Sequence, residues 1–433
     1  MVPSLFTVGF GLTALATASS LPPSHKNTQV GAPIRSSVTA HRRVSGAEVE
    51  LTKQQQGRDY TVDLEIGTPP QNITVILDTG SANLWVNPTC GTTTRPAICE
   101  SYPQYNVTDS STSEFKGTLG FLSYGTGNAT IDWFADTVRI GGLNISKQSF
   151  GLAFETYDIN HGILGLSPNP IPNSSHYPFV LDNLVEQGLI DSRAFSLDLR
   201  DIDSPDGSII FGGIDTGKYV GSLEKVPILD IADTPDQADR YWINLTAVGI
   251  TLPSGVSGLV ADTEVPVFVD SGTSITELPT NVFESISAAF PGAVYLADTG
   301  LYWANCSEGD WSGSVDFVFN NKVISVPYDD FLYRPAELSG LCPLGVQDSG
   351  YDGGVLGDTF LRAAYVVFDQ DNRHIHLAQA GNCGSNVAAI SSGAHAVPSV
   401  TGDCTATVST PVLTSTLTAT QAPPTITVPA ADD

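Results

Sequence analysis

A short pattern occurs twice in this chain and constrains its fold more than any other feature. Val75-Ile76-Leu77-Asp78-Thr79-Gly80-Ser81 is echoed, about 190 residues later, by Val267-Phe268-Val269-Asp270-Ser271-Gly272-Thr273. Each copy is an apolar run that leads into Asp, a hydroxyl residue, Gly and a second hydroxyl residue. Later in the chain, each copy is followed by a second signature of two apolar residues and a Gly, Ile163-Leu164-Gly165 in the first half and Val355-Leu356-Gly357 in the second. This alternating order predicts two similar lobes related by a pseudo-twofold axis, with the two Asp turns meeting at the centre.

The body of the chain, 59–385, consists of short alternating apolar runs broken by Gly, Pro, Asn and Asp. Such runs are typical of β-strands joined by turns. Helical spacing occurs in few places, among them Pro178–Gln187 and Asn281–Phe290. We therefore predict an all-β, bilobal fold with an N-terminal lobe over 59–225, a C-terminal lobe over 226–385 and a cleft between them.

Two facing carboxylates have a specific chemistry. At a separation of about 3 Å and an effective dielectric constant of 20, they repel each other by about 5.5 kcal/mol. One proton is then shared between them. One carboxylate can act as general base on a water molecule while the other acts as general acid towards a carbonyl oxygen. A single Asp-Thr-Gly or Asp-Ser-Gly is more typical of an ordinary turn, but two copies in matching apolar contexts favour a paired site.

The residues around each Asp suit this chemistry. Glycine lets backbone approach closely and leaves its N–H group unobstructed, and short hydroxyl side chains can orient carboxylates. The residues in these supporting positions are Thr79, Gly80, Ser81, Ser271, Gly272 and Thr273.

Over roughly residues 59–383 the chain resembles the pepsin-type (A1) aspartic endopeptidases. It is similar in particular to the fungal secreted branch that includes the yapsins and candidapepsins. The motifs that carry the resemblance are ILDTGSANLWV (76–86), YGTG (124–127), SIIFGGIDTGKYVG (208–221), FVDSGTSITELP (268–279) and GVLGDTFLRAAYVVFD (354–369).

The resemblance implies that Asp78 and Asp270 are the catalytic pair. It also implies that Thr79 and Ser271 make reciprocal hydrogen bonds between the two loops. Hydroxyl groups two residues further on would bond the outer carboxylate oxygens, from Ser81 and Thr273.

A β-hairpin flap over the cleft is also implied by the resemblance. Tyr124 would be the flap tyrosine, hydrogen-bonded to Trp85, and the backbone of Gly125 and Thr126 would bind the substrate peptide. One departure concerns Ile131, which stands where the family usually has Gly and leaves the packing at the base of the flap open.

Six cysteines are typical of a protein from an oxidising compartment. They allow 15 connectivities, so any pairing read from the sequence is a proposal. The pairs proposed are Cys90–Cys99, Cys306–Cys342 and Cys383–Cys404. The first two match the family's usual disulfide placement.

The ends of the chain are expected to lie outside the folded body. Residues 1–20 combine a short apolar run with a small-residue end, which predicts a secretory signal peptide. Residues 21–58 hold six basic and two acidic residues and include the dibasic pair Arg42-Arg43. We interpret them as a propeptide that inhibits its own enzyme, with a disordered linker as the alternative.

Residues 386–433 are rich in Ser, Thr, Ala, Val and Pro, which predicts a low-complexity tail that could associate with a cell wall. Seven N-x-[ST] triplets agree with secretion to the extracellular space. They are Asn72, Asn106, Asn128, Asn144, Asn173, Asn244 and Asn305.

The charge excludes one class of function and the motifs argue against others. With 46 acidic and 19 basic residues, the net charge of −27 is incompatible with nucleic-acid binding through a basic surface. No apolar run is long enough for a transmembrane segment. The series Asp201, Asp203 and Asp206 begins like a calcium loop but has Gly212 at the twelfth position, so a hairpin turn is expected. No metal or other cofactor is predicted, and a monomer is expected.

The sequence thus predicts a secreted aspartic endopeptidase, made as a zymogen, that hydrolyses peptide bonds of protein or peptide substrates at acidic pH. Thr126 at the flap offers no acid to attract a basic side chain, which favours apolar or broad specificity. The alternative is a binding module or inhibitor that has lost catalysis, against which the presence of both Asp78 and Asp270 argues.

Overall fold

A computed structural model of the chain describes residues 46–54, 59–169, 177–261, 264–290, 292–305, 312–333, 340–405 and 411–413. Several predicted features lie outside these ranges. They are the signal peptide 1–20, most of the leader 21–58, Asn173, Cys306 with its pairing to Cys342, and the tail beyond 413.

Strands dominate the first half of the described chain. They are β1 (Ala47–Gln54), β2 (Asp59–Ile66), β3 (Gln71–Asp78), β4 (Leu84–Val86), β5 (Glu114–Ser123), β6 (Asn128–Ile140), β7 (Leu143–Tyr157), β8 (Gly162–Gly165), β9 (Ala194–Asp198), β10 (Asp206–Phe211), β11 (Gly213–Asp215) and β12 (Tyr219–Pro227).

The second half repeats this character with shorter strands. They are β13 (Trp242–Leu245), β14 (Ala247–Thr251), β15 (Ser257–Ala261), β16 (Val265–Val269), β17 (Thr276–Leu278), β18 (Val294–Leu296), β19 (Leu301–Asn305), β20 (Ser314–Phe319), β21 (Lys322–Pro327), β22 (Leu341–Pro343), β23 (Val346–Asp348), β24 (Gly354–Leu356), β25 (Ala364–Asp369), β26 (His374–Ala380) and β27 (Val387–Ala389).

Helices in the described residues are short. They are α1 (Pro96–Glu100), α2 (Val180–Glu186), α3 (Thr280–Ala288), α4 (Tyr328–Phe331) and α5 (Asp358–Leu361). The helices α2 and α3 lie where the periodicity predicts them, and the all-β fold class is confirmed. Nowhere in the part of the chain that the structure describes is a helix long and apolar enough to cross a membrane.

One large sheet joins strands from both halves of the chain. Its order is β12-β26-β25-β9-β10-β1-β2-β3-β8-β4-β7-β6-β5. Strands β25, β26 and β12 thereby extend a sheet that begins in the first half. Within it, β1 pairs with β10 and β2, and buries Ala47, Val49 and Leu51 while Glu48 and Glu50 are exposed. The last part of the predicted leader, 21–58, is therefore built into this sheet.

The sequence repeat corresponds to a repeated strand arrangement. In the first half β3 runs parallel to β8, and β4 pairs antiparallel with the other edge of β8. In the second half β16 runs parallel to β24, and β17 pairs antiparallel with β24. The apolar-apolar-Gly signatures thus lie in β8 and at the end of β24, which are the neighbours of the two Asp-bearing strands. This pairing places each Asp turn at the same edge of its own sheet.

The tail boundary predicted at 386 needs a correction. Strand β27 pairs with β11, and a disulfide joins Cys383 to Cys404. Ile390, Ala396 and Val397 are buried in an apolar cluster with residues of the body. Few large apolar residues occur here, but those present cover an apolar surface of the body, so the low-complexity tail begins after Cys404.

Candidate active site

The two copies of the motif form two loops at the ends of equivalent strands. Strand β3 ends at Asp78, and β16 ends at Val269, directly before Asp270. The backbone of each loop is tied to the neighbouring strand, since Leu166 N donates to Asp78 O at 2.9 Å and Asp270 N donates to Leu356 O at 3.1 Å. Both aspartates are thereby held at fixed positions by paired backbone.

Reciprocal hydrogen bonds join the two loops. Thr79 Oγ1 donates to Val269 O at 2.9 Å, and Ser271 Oγ donates to Leu77 O at 2.9 Å. In return, Thr79 N donates to Ser271 Oγ at 3.2 Å, and Ser271 N donates to Thr79 Oγ1 at 3.0 Å. Both side chains are buried, so each loop is fixed by groups from the other.

The carboxyl group of Asp78 accepts three hydrogen bonds from its own loop. Gly80 N lies 2.7 Å and Ser81 N 3.1 Å from Oδ1, and Ser81 Oγ donates to Oδ2 at 2.5 Å. Asp270 accepts two of the equivalent bonds, with Gly272 N at 2.8 Å from Oδ1 and Thr273 Oγ1 donating to Oδ2 at 2.7 Å. These donors stabilise the ionised form of each carboxyl group.

Glycine is required on both loops because the carboxyl group of one loop packs against the glycine of the other. A Cβ atom on Gly80 would lie 2.5 Å from Asp270 Cγ, and one on Gly272 would lie 2.7 Å from Asp78 Oδ1. Any other residue at either position would push the two carboxyl groups apart.

The two carboxyl groups lie close together and are nearly buried, with 5% of Asp78 and 8% of Asp270 exposed. A single Cβ atom added to Gly272 would lie 2.7 Å from Asp78 Oδ1 and 3.1 Å from Asp270 Oδ1. Burial first, and the neighbouring charge of Asp270 second, raise the pKa of Asp78 well above its usual range. A pair in this state holds one proton under conditions in which separate aspartates would both be ionised.

A hairpin formed by β5 and β6 carries Tyr124 at its end. Ser123 pairs with Asn128, and Tyr124 N donates to Gly127 O at 2.8 Å, which leaves Gly125 and Thr126 exposed at the tip. Trp85 Nε1 donates to Tyr124 OH at 2.7 Å. Because Trp85 is fully buried, this bond anchors the tyrosine ring over the Asp78 loop.

Ile131, the departure noted at the base of the flap, fits the structure because its neighbours are small. It is fully buried in a cluster with Trp85 and Ala129. A Cβ atom on Gly120 or Gly151 would lie 2.8 or 2.5 Å from Ile131 side-chain atoms. The absence of side chains at these two glycines thus leaves room for the isoleucine side chain.

The sequon asparagines lie in strands and turns, except for Asn173, which lies outside the described residues. Asn128 is half-buried and sits directly opposite Tyr157, which is 62% exposed. Since directly opposed residues share one face of a sheet, Asn128 points to the outer face of the flap. Asn244 is also half-buried, and the exposed members are Asn72, Asn106, Asn144 and Asn305.

Disulfides join two of the three proposed cysteine pairs in the described residues. Cys90 bonds to Cys99 across a nine-residue separation, and Cys383 bonds to Cys404 across 21 residues. The pairing of Cys306 with Cys342 stays a prediction, because Cys306 lies outside the described residues.

The calcium-like series forms a turn. Asp201 accepts hydrogen bonds from Asp203 N at 3.1 Å and from Ser204 N at 2.9 Å, and Asp206 begins β10. Among the described residues, His, Cys, Asp and Glu side chains form no cluster that could hold a metal ion.

Two side chains near the site, those of Tyr177 and Arg240, were not predicted from the sequence. Tyr177 OH donates to Asn83 Oδ1 at 2.6 Å, and its ring packs against Trp133 at 4.6 Å between centroids. Arg240 donates from Nη1 to the carbonyl oxygen of Gly80. Neither belongs to a recognisable motif, because folding alone brings each to the site.

Comparison with known families points to one class of enzyme. The family model described as "Eukaryotic aspartyl protease" matches residues 59–380. This range includes both motif copies and the flap hairpin.

Curated relatives agree with the family match. An "Acid protease" of Saccharomycopsis fibuligera is 37% identical over 351 residues, covering 78% of this chain and 85% of the relative. "Candidapepsin-3" of Candida albicans is 34% identical over 382 residues, covering 85% and 90%. "Aspartic proteinase yapsin-3" of Saccharomyces cerevisiae is 33% identical over 371 residues, covering 78% and 71%.

Proposed function

This chain belongs to the family of eukaryotic aspartyl proteases and is an aspartic-type endopeptidase, and we propose that Asp78 and Asp270 are its catalytic pair. The observation that carries this proposal is the close approach of the two carboxyl groups, each fixed by donors of its own loop. The reciprocal bonds of Thr79 and Ser271 support it further, because they hold the pair at a fixed separation.

The proposed reaction uses the single proton of the pair. The ionised carboxylate takes a proton from a water molecule, whose oxygen attacks the peptide carbonyl carbon, while the protonated partner donates its proton to the carbonyl oxygen. On collapse of the tetrahedral intermediate, the carboxyl group that took the water proton gives it to the amide nitrogen, and the C–N bond breaks. The other carboxylate takes a proton from a hydroxyl group of the intermediate. No covalent bond to the enzyme forms, and the pair ends with one proton as it began.

The flap supports binding of an extended peptide. Gly125 and Thr126 present backbone groups at the tip, where they can pair with the backbone of a substrate strand. Thr126 is exposed and uncharged, so the flap tip offers no carboxylate to a basic side chain. We propose apolar or broad specificity.

The proposal includes secretion as a zymogen. The basic leader opposes a strongly acidic body, so that electrostatic attraction favours its lying over the cleft at neutral pH. Acidification protonates carboxylates of the body and weakens this attraction, which favours self-cleavage. Because β1 is part of the central sheet, we place processing at Arg42-Arg43, before this strand, so that the predicted leader ends there and not at 58.

The location follows from the same features. A signal sequence, sequons and disulfides suit the extracellular space. The Ser/Thr-rich residues after 405 would allow association with a cell wall.

An Asp270→Asn variant tests the catalytic assignment. The secreted variant should lose hydrolysis of haemoglobin at acidic pH, by at least about 10³-fold, because one member of the proton-sharing pair is gone. Asp203→Asn, an exposed aspartate in the 201–206 turn, serves as the matched control and should keep full activity. Digestion by well-folded Asp270→Asn protein at the wild-type rate would refute the assignment.

Processing is tested by the double variant Arg42→Ala with Arg43→Ala. After acidification it should remain a larger precursor, whereas the wild-type protein should begin at or near Val44 by N-terminal sequencing. A double variant with the wild-type N-terminus would show that the leader is removed elsewhere.

A further inference from the structure

One cationic side chain touches both copies of the duplicated motif. Arg240 donates from Nη1 to the carbonyl oxygen of Gly80, two residues after Asp78. Its guanidinium carbon lies 5.4 Å from the ring centroid of Phe268, two residues before Asp270. Arg240 therefore bridges the two loops from a segment that carries neither motif.

The guanidinium group is held in a fixed direction. Arg240 Nε donates to Asp236 Oδ2 at 2.8 Å, and Asp236 Oδ1 accepts a bond from Trp242 Nε1 at 3.0 Å. Trp242 is fully buried and packs edge-on against Phe268, with ring centroids 4.8 Å apart. The chain of contacts thus fixes Arg240 to the strand that leads into Asp270.

A single peptide group connects Arg240 to Asp78. The carbonyl of Gly80 accepts the bond from Arg240, and the N–H of the same peptide group, that of Ser81, donates to Asp78 Oδ1 at 3.1 Å. A cation bound to a carbonyl oxygen polarises the amide and strengthens its N–H as a donor. The positive charge of Arg240 is thereby transmitted to the carboxyl group of Asp78.

We propose that Arg240 is a positioning residue that stabilises ionised Asp78 through the Gly80–Ser81 peptide group. This inference rests on the proposed function of the Asp78–Asp270 pair. It predicts that the charge of Arg240 keeps the pH profile of activity at lower pH than the pair alone would set.

Other charged or titratable groups face the same pair and would set its behaviour without Arg240. Burial and Asp270 act directly on Asp78, and the phenol of Tyr124 also interacts with it. Glu277 and Asp358 interact with Asp270. Asp236 faces Arg240 itself and reduces, without cancelling, the positive charge at the Gly80 carbonyl. All of these groups are acidic, so Arg240 opposes their combined effect.

The test compares pH profiles of kcat/KM for wild type, Arg240→Met, Arg240→Lys and Arg240→Gln. Concentrations are set by active-site titration with a statine-type inhibitor, so that unfolded protein does not count. Arg240→Met and Arg240→Gln should move the pH profile upward by about 0.5 to 1 pH unit, because the cation that favours the ionised form is lost. Arg240→Lys keeps the charge and should move it less. For the same substrate, kcat should fall while KM stays within about twofold.

Arg373 provides the matched control. Like Arg240, it binds one aspartate, Asp239 at 2.9 Å, and one backbone carbonyl, that of Leu229 at 2.7 Å, but it contacts neither catalytic loop. Arg373→Met should leave the pH profile unchanged.

Superimposable profiles for Arg240→Met, Arg240→Gln and wild type would overturn the inference. So would an effect confined to KM for peptides with acidic side chains, which would make Arg240 a substrate-binding residue instead. Failure of the proposed function looks different: wild-type protein would be inactive, or Asp270→Asn as active as wild type.

Discussion

His161 is a buried, neutral histidine in a protein proposed to work in acid. It is 2% exposed, neither ring nitrogen has a hydrogen-bond partner in the described structure, and its ring packs on Tyr102 at 4.5 Å. Burial lowers the pKa of His161 to about 4. In the unfolded chain the pKa of this group is about 6.5, so unfolded protein binds the proton first as the pH falls.

His161 is therefore expected to weaken the fold between these two pH values. The free energy of unfolding should fall by up to about 3 kcal/mol from pH 6.5 to pH 4 on account of this residue. His161→Leu should remove that part of the decrease in urea unfolding measured across the range. His395→Leu, at an exposed position, should behave as wild type; a similar change in both variants would contradict the prediction.

Single residues also show how far sequence reasoning reaches. The loop donors around Asp78 and Asp270 could be predicted because they lie within three residues of each aspartate, so the motif contains its own hydrogen-bond partners. Arg240 could not be predicted, because 160 residues separate it from Gly80 and only tertiary packing brings them together.

At the scale of elements, the hydrogen bond from Trp85 to Tyr124 holds the tip of the flap hairpin in place. Tyr124→Phe removes the acceptor of the Trp85 Nε1–H bond and leaves the ring in place. We expect kcat/KM to fall about tenfold, because an unpaired donor at the buried Trp85 loosens the tip. Thermal stability should hardly change. Tyr157→Phe, on the exposed outer face, is the control, and equal kinetics for both variants would argue against a role for this bond.

The composition of segment 386–405 did not predict that this segment is part of the folded body. Its sequence is mostly small and polar, as in a disordered tail, yet the pairing of β27 with β11, the buried Ile390 and Val397, and the disulfide of Cys404 tie it to the body. Composition averages over a segment, whereas folding here depends on a few side chains that meet an apolar surface.

Truncation tests this boundary. A chain ending at Thr405 should keep the wild-type unfolding midpoint. A chain ending at Ser385, with Cys383→Ser to avoid a free thiol, should lose more than about 2 kcal/mol of unfolding free energy, because the disulfide and the buried side chains are lost. Equal unfolding midpoints for the two truncated chains would show that the segment adds no stability and belongs to the tail.

In the molecule as a whole, buried carboxyl groups make the folded state more stable in acid than at neutral pH. Burial raises the pKa of Asp198 to about 7, and it raises the pKa of Asp358 well above the usual range. A group whose pKa is higher in the folded than in the unfolded chain adds stability that is complete below the unfolded value of about 4. That stability is lost as the pH rises through the folded value.

Because Asp198 and Asp358 together outweigh the opposite contribution of His161, the protein should unfold more readily near neutral pH than in moderate acid. Asp198→Asn should flatten the decrease between pH 4 and pH 7 by at most about 4 kcal/mol, as measured by urea unfolding at several pH values. Asp203→Asn, at an exposed site, should leave the curve unchanged. A wild-type maximum at neutral pH would contradict this prediction.

The bilobal, duplicated architecture was predictable because each half repeats its own signals, whereas the large sheet that β25, β26 and β12 share with the first half was not. Strand partners in such a sheet are set by packing between distant segments, which no local pattern encodes.

The reciprocal bonds between the Thr79 and Ser271 loops have a practical consequence. Each loop takes a backbone acceptor from the other half, so neither half alone holds a complete reaction centre. Two fragments produced separately would recover proteolysis only on association. If the two fragments were fused to two other proteins, proteolysis would report whether those proteins bind each other.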